Sequence, residues 1–158
     1  MDRPAPQAAM TPAARVPRRV SLFSPILKFL VAAGVPMGFN GLITIRGRTS
    51  GLPRTAAVAI IAVSGRRYVW APWGDVHWVR NLRAAGGATI TVRRRQENVT
   101  ATELNPAERI DFFRHVLGPV ARATPGGVWF IRTVDGVDLD HPAEAAEGRR
   151  VFELHPLP

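Results

Sequence analysis

Residues Thr55–Val63 read TAAVAIIAV and are apolar at nearly every position. A run of that length without polar alternation is what a strand covered on both faces requires. Shorter β-favouring runs surround it. Leu42–Arg46 is β-branched, SGRR (Ser64–Arg67) is a turn, and Tyr68–Pro72 follows as a third strand. Ala88–Arg95 alternates, with Ile90 and Val92 on one side and Thr89, Thr91 and Arg93 on the other. Gln96–Asn98 turns the chain, Val99–Leu104 returns, and the closing RRVFELHP makes a sixth strand. Consecutive strands joined by tight turns pair antiparallel, and closing them into a barrel removes exposed edges. The expected class is mainly β with helices (α+β), an antiparallel barrel of about six strands.

Two helices interrupt the strands. Asp75 is placed to cap VHWVRNLRAAGG, which ends at Gly86. Asn105 caps PAERIDFFRHVLG, with Pro106 at the first helical position, Glu108 three after the cap and Gly118 as terminator. Ile110, Phe113 and Leu117 then face the core. Beyond Gly118 the pattern weakens: Thr124-Pro125 opens a helix, or Val128–Thr133 is a strand. HPAEAAEGR is at most a short surface helix. At the N-terminus, residues 1–17 read as a disordered lead-in. Residues 18–38 are an amphipathic helical segment, and 39–158 the barrel domain. In the amphipathic segment Arg18 and Arg19 precede apolar residues from Leu22 to Val35, broken by Ser24, Pro25 and Lys28. That run is too short and interrupted to span a bilayer. It either packs on the domain or lies on an anionic membrane surface.

The chain has 158 residues, enough for one domain with a proper core, and a net charge of +9 from 21 basic and 12 acidic residues. It has no cysteine, which excludes thiol catalysis and cysteine-ligated metals. The four histidines (His77, His115, His141, His155) lack ligand spacing, so no metal centre is expected. No export signal is evident, and the expected location is cytoplasmic, with association to the inner face of the membrane through residues 18–35. The arginine runs lack the interleaved aromatics of a nucleic-acid platform, and a nucleic-acid partner is not expected.

The charge is clustered. ITIRGRTSGLPRT, from Ile43 to Thr55, brings Arg46, Arg48 and Arg54 into one glycine-rich turn. Such a turn leaves backbone N–H groups free to converge on an anion. Ser50 and Thr55 add hydroxyl donors, Arg48 and Arg54 supply forks that match phosphate oxygens, and Gly51 permits positive φ. The bland counterpart is a solvated basic hairpin. The motif is neither a Walker loop nor a Rossmann fingerprint.

GRTSGLPRT followed, one hairpin strand later, by WVRNLRAAGGATITV resembles the deazaflavin-dependent nitroreductases across roughly Leu42–Leu104. These are split β-barrels related to the FMN-binding barrels. The resemblance implies the deazaflavin coenzyme F-420 (8-hydroxy-5-deazaflavin) as cofactor in preference to FMN, with a tail of phosphate and glutamates. It implies that Arg48, Thr49, Ser50, Gly51 and Arg54 hold the phosphate, although lysine is common where Thr49 stands; Arg46 or Arg80 would supply the missing charge. It further implies that Thr55, Ala56 and Ala57 line the ring through their backbone. Ala71, Pro72, Trp73 and Gly74 would offer N–H groups to its pyrimidine edge. Trp78 would pack near the ring and Asn81 would fix the local backbone. The implied substrate pocket is walled by Trp73, His77, Trp129 and Phe130, and the acceptor is a quinone, nitroaromatic or enone. No catalytic side chain is certain, and His77 is the candidate proton donor. The bland counterparts are a core anchor for Trp78, a surface residue for His77 and a cap for Asp75. A non-catalytic carrier of the coenzyme or of a lipid is the alternative function.

Overall fold

The computed structural model describes residues 40–158. The lead-in expected over 1–17 and the amphipathic segment expected over 18–38 lie outside the described residues. Six strands form: β1 (Gly41–Arg46), β2 (Pro53–Val63), β3 (Arg66–Ala71), β4 (Gly87–Val92), β5 (Arg95–Glu103) and β6 (Arg150–Pro156). They close into a barrel in the order β1-β2-β3-β6-β5-β4. All neighbours are antiparallel. The two ends of the barrel therefore collect different segments. One end, called upper here, gathers the arginine turn, the loop after Ala71, Glu103 and Arg150. The lower end gathers Gly41, the β2–β3 and β4–β5 hairpins and Pro156.

Alternation along the strands builds two cores. Ile43, Ile45, Val58, Ile60, Val69, Ile90, Val99, Phe152 and Leu154 fill the barrel. Tyr68, Trp70 and Val151 point outward and meet a helical layer carrying Phe112, Phe113 and Leu117. Phe112 packs on Tyr68 with ring centroids 5.3 Å apart, and Phe113 packs edge-on against Trp70 at 5.7 Å. Ala59 and Ile61 of β2 also lie against this layer, which is why β2 is apolar on both faces.

Helix α1 (His77–Ala85) crosses the upper mouth and buries Val79 and Leu82 against the barrel core. Gly86 ends it in the left-handed conformation. Its N-cap is Val76, not Asp75. The Asp75 carboxylate is taken by two guanidinium groups, whose charge-assisted bonds are stronger than capping bonds to neutral N–H groups. Helix α2 (Pro106–Asp111) opens with the expected capping box, Asn105 and Glu108 each bonding the other's backbone N–H. Gly118 does not end it. The chain winds wider through Phe112–Leu117 and continues as α3 (Gly118–Ala123). The Gly118 N–H bonds the Phe113 carbonyl, and a Cβ there would sit 2.9 Å from that oxygen. The glycine is needed for close approach, not for termination.

The stretch after Gly126 is helical throughout, as α4 (Gly127–Phe130) and a second wide turn over Ile131–Asp135. Helix α5 (Pro142–Ala146) is more than a surface helix, because Ala145 and Ala146 are buried in the outer core.

The turn expected at Gln96–Asn98 lies instead at Arg93–Arg94. Val92 pairs with Arg95 and Ala88 with Val99. A turn at 96–98 would have set Val99 opposite Arg95 and turned it out of the barrel. One buried valine on the inner face fixes the register.

Candidate coenzyme cleft

The arginine turn joins β1 to β2. Gly47 N–H bonds the Leu52 carbonyl at 2.8 Å, and Gly51 N–H bonds the Gly47 carbonyl at 2.8 Å. Gly51 has φ 69°. A Cβ on Gly47 would sit 2.9 Å from Ser50 Oγ and 3.1 Å from the Leu52 carbonyl, so this turn closes only around a glycine. Ser50 Oγ accepts from Leu52 N–H at 3.2 Å and keeps its own proton to donate. The N–H groups of Thr49 and Ser50 have no acceptor among the described residues, and they are consecutive. Adjacent free N–H groups in a turn form an anion-binding concavity.

Helix α1 reaches the turn through Asn81, which is 6% exposed. Its Oδ1 accepts from Arg48 Nη1 at 2.7 Å and from Arg48 N–H at 3.3 Å. Burial of Val79 and Leu82 contributes roughly 3–6 kcal/mol together, more than a charge-assisted hydrogen bond of about 1.5–3 kcal/mol. Packing therefore places the helix, and Asn81 orients the guanidinium. An amide oxygen holds Arg48 without cancelling its charge. Arg46 and Arg54 wrap the same turn. The Arg46 guanidinium lies 3.6–3.7 Å from where a Gly51 Cβ would be, and Arg54 Cγ lies 3.5 Å from the Gly47 equivalent. Among the described residues, Arg46, Arg48, Arg54 and Arg80 have no carboxylate partner.

Beside the turn the barrel wall is split. Pairing of β2 with β3 begins only at Ala59, opposite Trp70. Pro72 lacks an N–H and cannot extend that ladder. The groups of Val58 and Ile60 point toward β1, where Asn40 bonds them. By alternation, Thr55 and Ala57 direct theirs to the opposite, open edge, while Ala56 faces the barrel core. The register carried past Ala59 sets this edge against the Ala71–Gly74 loop, so the two backbone stretches singled out in the sequence face each other where the ladder opens, as a candidate cleft. The Thr55 hydroxyl is paired with that of Thr44 at 2.9 Å.

Across the cleft, Pro72 offers no donor, and Gly74 N–H is spent on the Ala71 carbonyl at 3.4 Å. The donors without an acceptor among the described residues are those of Trp73 and Asp75. The loop is tied down by ions. Asp75 accepts from Arg150 Nε at 2.8 Å and Arg83 Nη2 at 3.2 Å, and Arg83 grips Glu103 at 2.7 and 2.8 Å. Burial works to raise the Asp75 pKa, but the bonds from Arg150 and Arg83 outweigh it and hold the carboxyl below its ordinary range. The Arg83 hydrogen bond holds Glu103 low likewise.

His77 is exposed at the start of α1. Trp73 is half-buried, and Trp78 packs its ring on Phe152 at 6.4 Å. Trp129 stands 68% exposed on α4 and Phe130 packs on the outer core. Both belong to the helical layer, and no contact among the described residues brings them to the arginine turn. The Asp75–Arg83–Glu103–Arg150 network had no sequence signal, since its members come from a loop, a helix and two strands far apart in the chain.

Low-identity likenesses among solved structures agree on the fold. A conserved hypothetical protein, Rv2991, from Mycobacterium tuberculosis is 13% identical with TM-score 0.51, covering 83% of this chain and 81% of that one. A candidate 5-nitroimidazole antibiotic resistance protein from Bacteroides thetaiotaomicron is 12% identical with TM-score 0.52, covering 83% and 80%. No curated protein matches the chain in sequence. A family model for the F420H(2)-dependent quinone reductases matches residues 30–124, more than half of the chain, including the arginine turn and the loop after Ala71. The chain belongs to the F420H(2)-dependent quinone reductase family, and its cofactor is the deazaflavin coenzyme F-420 that defines the family.

Proposed function

We propose that the chain reduces a quinone, a flat, apolar and electron-poor acceptor, at the expense of reduced coenzyme F-420 held in this cleft. The observation that carries the reading is Arg48, fixed by a neutral amide and, among the described residues, without a carboxylate partner, beside two backbone N–H groups that have no acceptor among those residues. That arrangement suits a phosphate and the carboxylates of a glutamate tail.

When bound, the reduced coenzyme supplies a hydride. Everything else falls to the chain. Arg48, Arg54, Ser50 and the Thr49 and Ser50 N–H groups would hold the phosphate, and Arg46 and Arg80 would face the tail. The open edge at Thr55 and Ala57 and the N–H groups of Trp73 and Asp75 would orient the ring. Donors aimed at the ring edge stabilise charge that builds there during transfer. Trp73 and Trp78 would exclude water and stack the acceptor. A quinone that accepts hydride also needs one proton at oxygen, which water or exposed His77 would donate. Residues 18–35, with basic residues before apolar ones, suit a protein that meets lipid-soluble quinones at an anionic membrane surface. No helix among the described residues is long and apolar enough to cross a membrane.

The test begins with dissociation constants for the deazaflavin coenzyme and for FMN, each at low and high salt. The coenzyme should bind more tightly and weaken with salt. Oxidation of the reduced coenzyme is then followed without oxygen against quinones, nitroaromatics and enones, with quinones fastest. Equal or tighter FMN binding would sink the cradle. Coenzyme binding with no acceptor reduced above the protein-free rate would make the chain a carrier.

A further inference from the structure

The family model stops at residue 124, but the barrel is closed by β6, which brings Arg150 to its upper rim. In the β3–β6 ladder Arg150 stands opposite Ala71, the last residue of β3. Ala71 and Phe152 both belong to the core inside the barrel, so by alternation Arg150 lies on the same inner face. From Ala71 the chain runs into the loop 72–76. This loop carries the Trp73 and Asp75 N–H groups, which have no acceptor among the described residues.

Backbone bonds shape the loop locally. Gly74 N–H bonds the Ala71 carbonyl at 3.4 Å, and Val76 N–H bonds the Gly74 carbonyl at 2.8 Å, with Gly74 at φ 76°. Among the described residues, the side-chain hydrogen bonds that tie the loop to other elements are the two that Asp75 accepts, both on Oδ1. The two donors are unequal. Arg83 bonds Glu103 through Nε at 2.7 Å and through Nη2 at 2.8 Å, and the same Nη2 reaches Asp75 at 3.2 Å. Arg150 gives Nε to Asp75 at 2.8 Å and stands 4.0 Å from Glu103. Its side chain is 28% exposed against 42% for Arg83, so solvent and salt screen its bond less. Arg83 is committed to Glu103, and Arg150 is the main holder of the loop.

We propose that Arg150 is a positioning residue for the coenzyme: acting through Asp75, it holds the loop 72–76 so that the Trp73 and Asp75 N–H groups face the edge of the deazaflavin ring. This role rests on the coenzyme cleft proposed above. It acts at the ring, whereas Arg48 and Arg54 act at the phosphate.

The test separates ring from tail with two probes, coenzyme F-420 and 8-hydroxy-5-deazariboflavin, which carries the same ring on a ribityl chain without phosphate. Dissociation constants are measured for both by fluorescence titration. Arg150→Gln should weaken both probes by the same factor, roughly 10-fold for loosened donors. Arg150→Lys, which still presents a cation to Asp75, should recover most of the loss. Asp75→Asn should match Arg150→Gln, and the double variant should bind no more weakly than either single one, because both changes break one link. If Arg150→Gln does not fold, Asp75→Asn keeps the side-chain shape and makes the same comparison. Arg54→Ala should weaken the coenzyme and leave the ring probe as in wild type. A lowered melting temperature in Arg150→Gln with unchanged affinity for the ring probe would overturn the proposal and leave the cleft standing. Additive losses in the double variant would overturn it as well. Failure of the cleft itself reads differently: Arg54→Ala and Arg150→Gln would then both bind the coenzyme as wild type does, and both proposals would fall.

Discussion

Asn81→Asp tests the central feature of the cleft with one atom changed in kind. The side chain keeps its size, and the oxygen that accepts from Arg48 Nη1 at 2.7 Å and from Arg48 N–H at 3.3 Å remains. What changes is charge. Unit charges about 4 Å apart interact by roughly 1–4 kcal/mol across the dielectric range of a protein surface. Arg48 would then be satisfied before any ligand arrives, and the new carboxylate would repel phosphate. Loss of one charge-assisted bond to the ligand costs about 1.5–3 kcal/mol, which weakens coenzyme affinity by roughly 10- to 150-fold. The melting temperature should hold, because Val79 and Leu82 anchor the helix independently. Fluorescence titration of the coenzyme at low and high salt reads the effect, and the deficit should shrink as salt screens the new pair. Asn81→Leu leaves Arg48 charged but unoriented, so its deficit should persist with salt. If Asn81→Asp binds coenzyme as tightly as wild type at low salt, an uncancelled Arg48 is not what recognises the tail.

Other perturbations probe separate parts. Arg54→Ala removes a guanidinium that has no carboxylate partner among the described residues, and should weaken coenzyme binding about tenfold or more with an unchanged melt; normal affinity in titration would remove Arg54 from the phosphate site. Gly47→Ala places a Cβ 2.9 Å from Ser50 Oγ and 3.1 Å from the Leu52 carbonyl, so it should open the turn and weaken coenzyme affinity, with little change in far-ultraviolet circular dichroism. Asp135 is 7% exposed, and burial raises its carboxyl to about 7 against a smaller opposing effect of Arg149. The native state thus holds a proton that the unfolded state releases near 3.8, and stability falls as pH rises from about 4 to about 7. The fall is on the order of 4 kcal/mol at most; Asp135→Asn should flatten it in urea melts at acidic and alkaline pH, and parallel curves for the two proteins would refute the assignment.

Much of the barrel was legible because its signal is local. Ile90 and Val92 alternating with threonines, and the unbroken run from Thr55 to Val63, name their strands without reference to anything else. The Asn105–Glu108 box is equally local. The β4–β5 turn was not legible, since Arg93 and Arg94 are not turn residues and register was decided by where Val99 is buried. Gly118 misled for a related reason. Glycine marks a helix end when it supplies positive φ, but here its φ is −55° and its role is to let the Phe113 carbonyl approach. Asp75 looked like a cap because a cap needs only neighbours, whereas its real partners, Arg83 and Arg150, are brought to it by the closed barrel.

The same distinction governs charge. A net +9 says nothing about where positive charge is available. The fold distributes it by consuming acids elsewhere. Asp75 and Glu103 are bound to Arg83 and Arg150, Glu97 to Arg67, Glu153 to Arg66, and Asp138 and Asp140 to Arg132. None of those carboxylates reaches the β1–β2 turn. Among the described residues, the side chain that does bond Arg48 is an asparagine, which aligns a guanidinium without neutralising it. A solvated basic hairpin would need no such partner, nor a glycine at position 47 to bring Ser50 and Arg54 over one point. Two neutral constraints that hold charges in place without cancelling them are what a turn awaiting an anion requires.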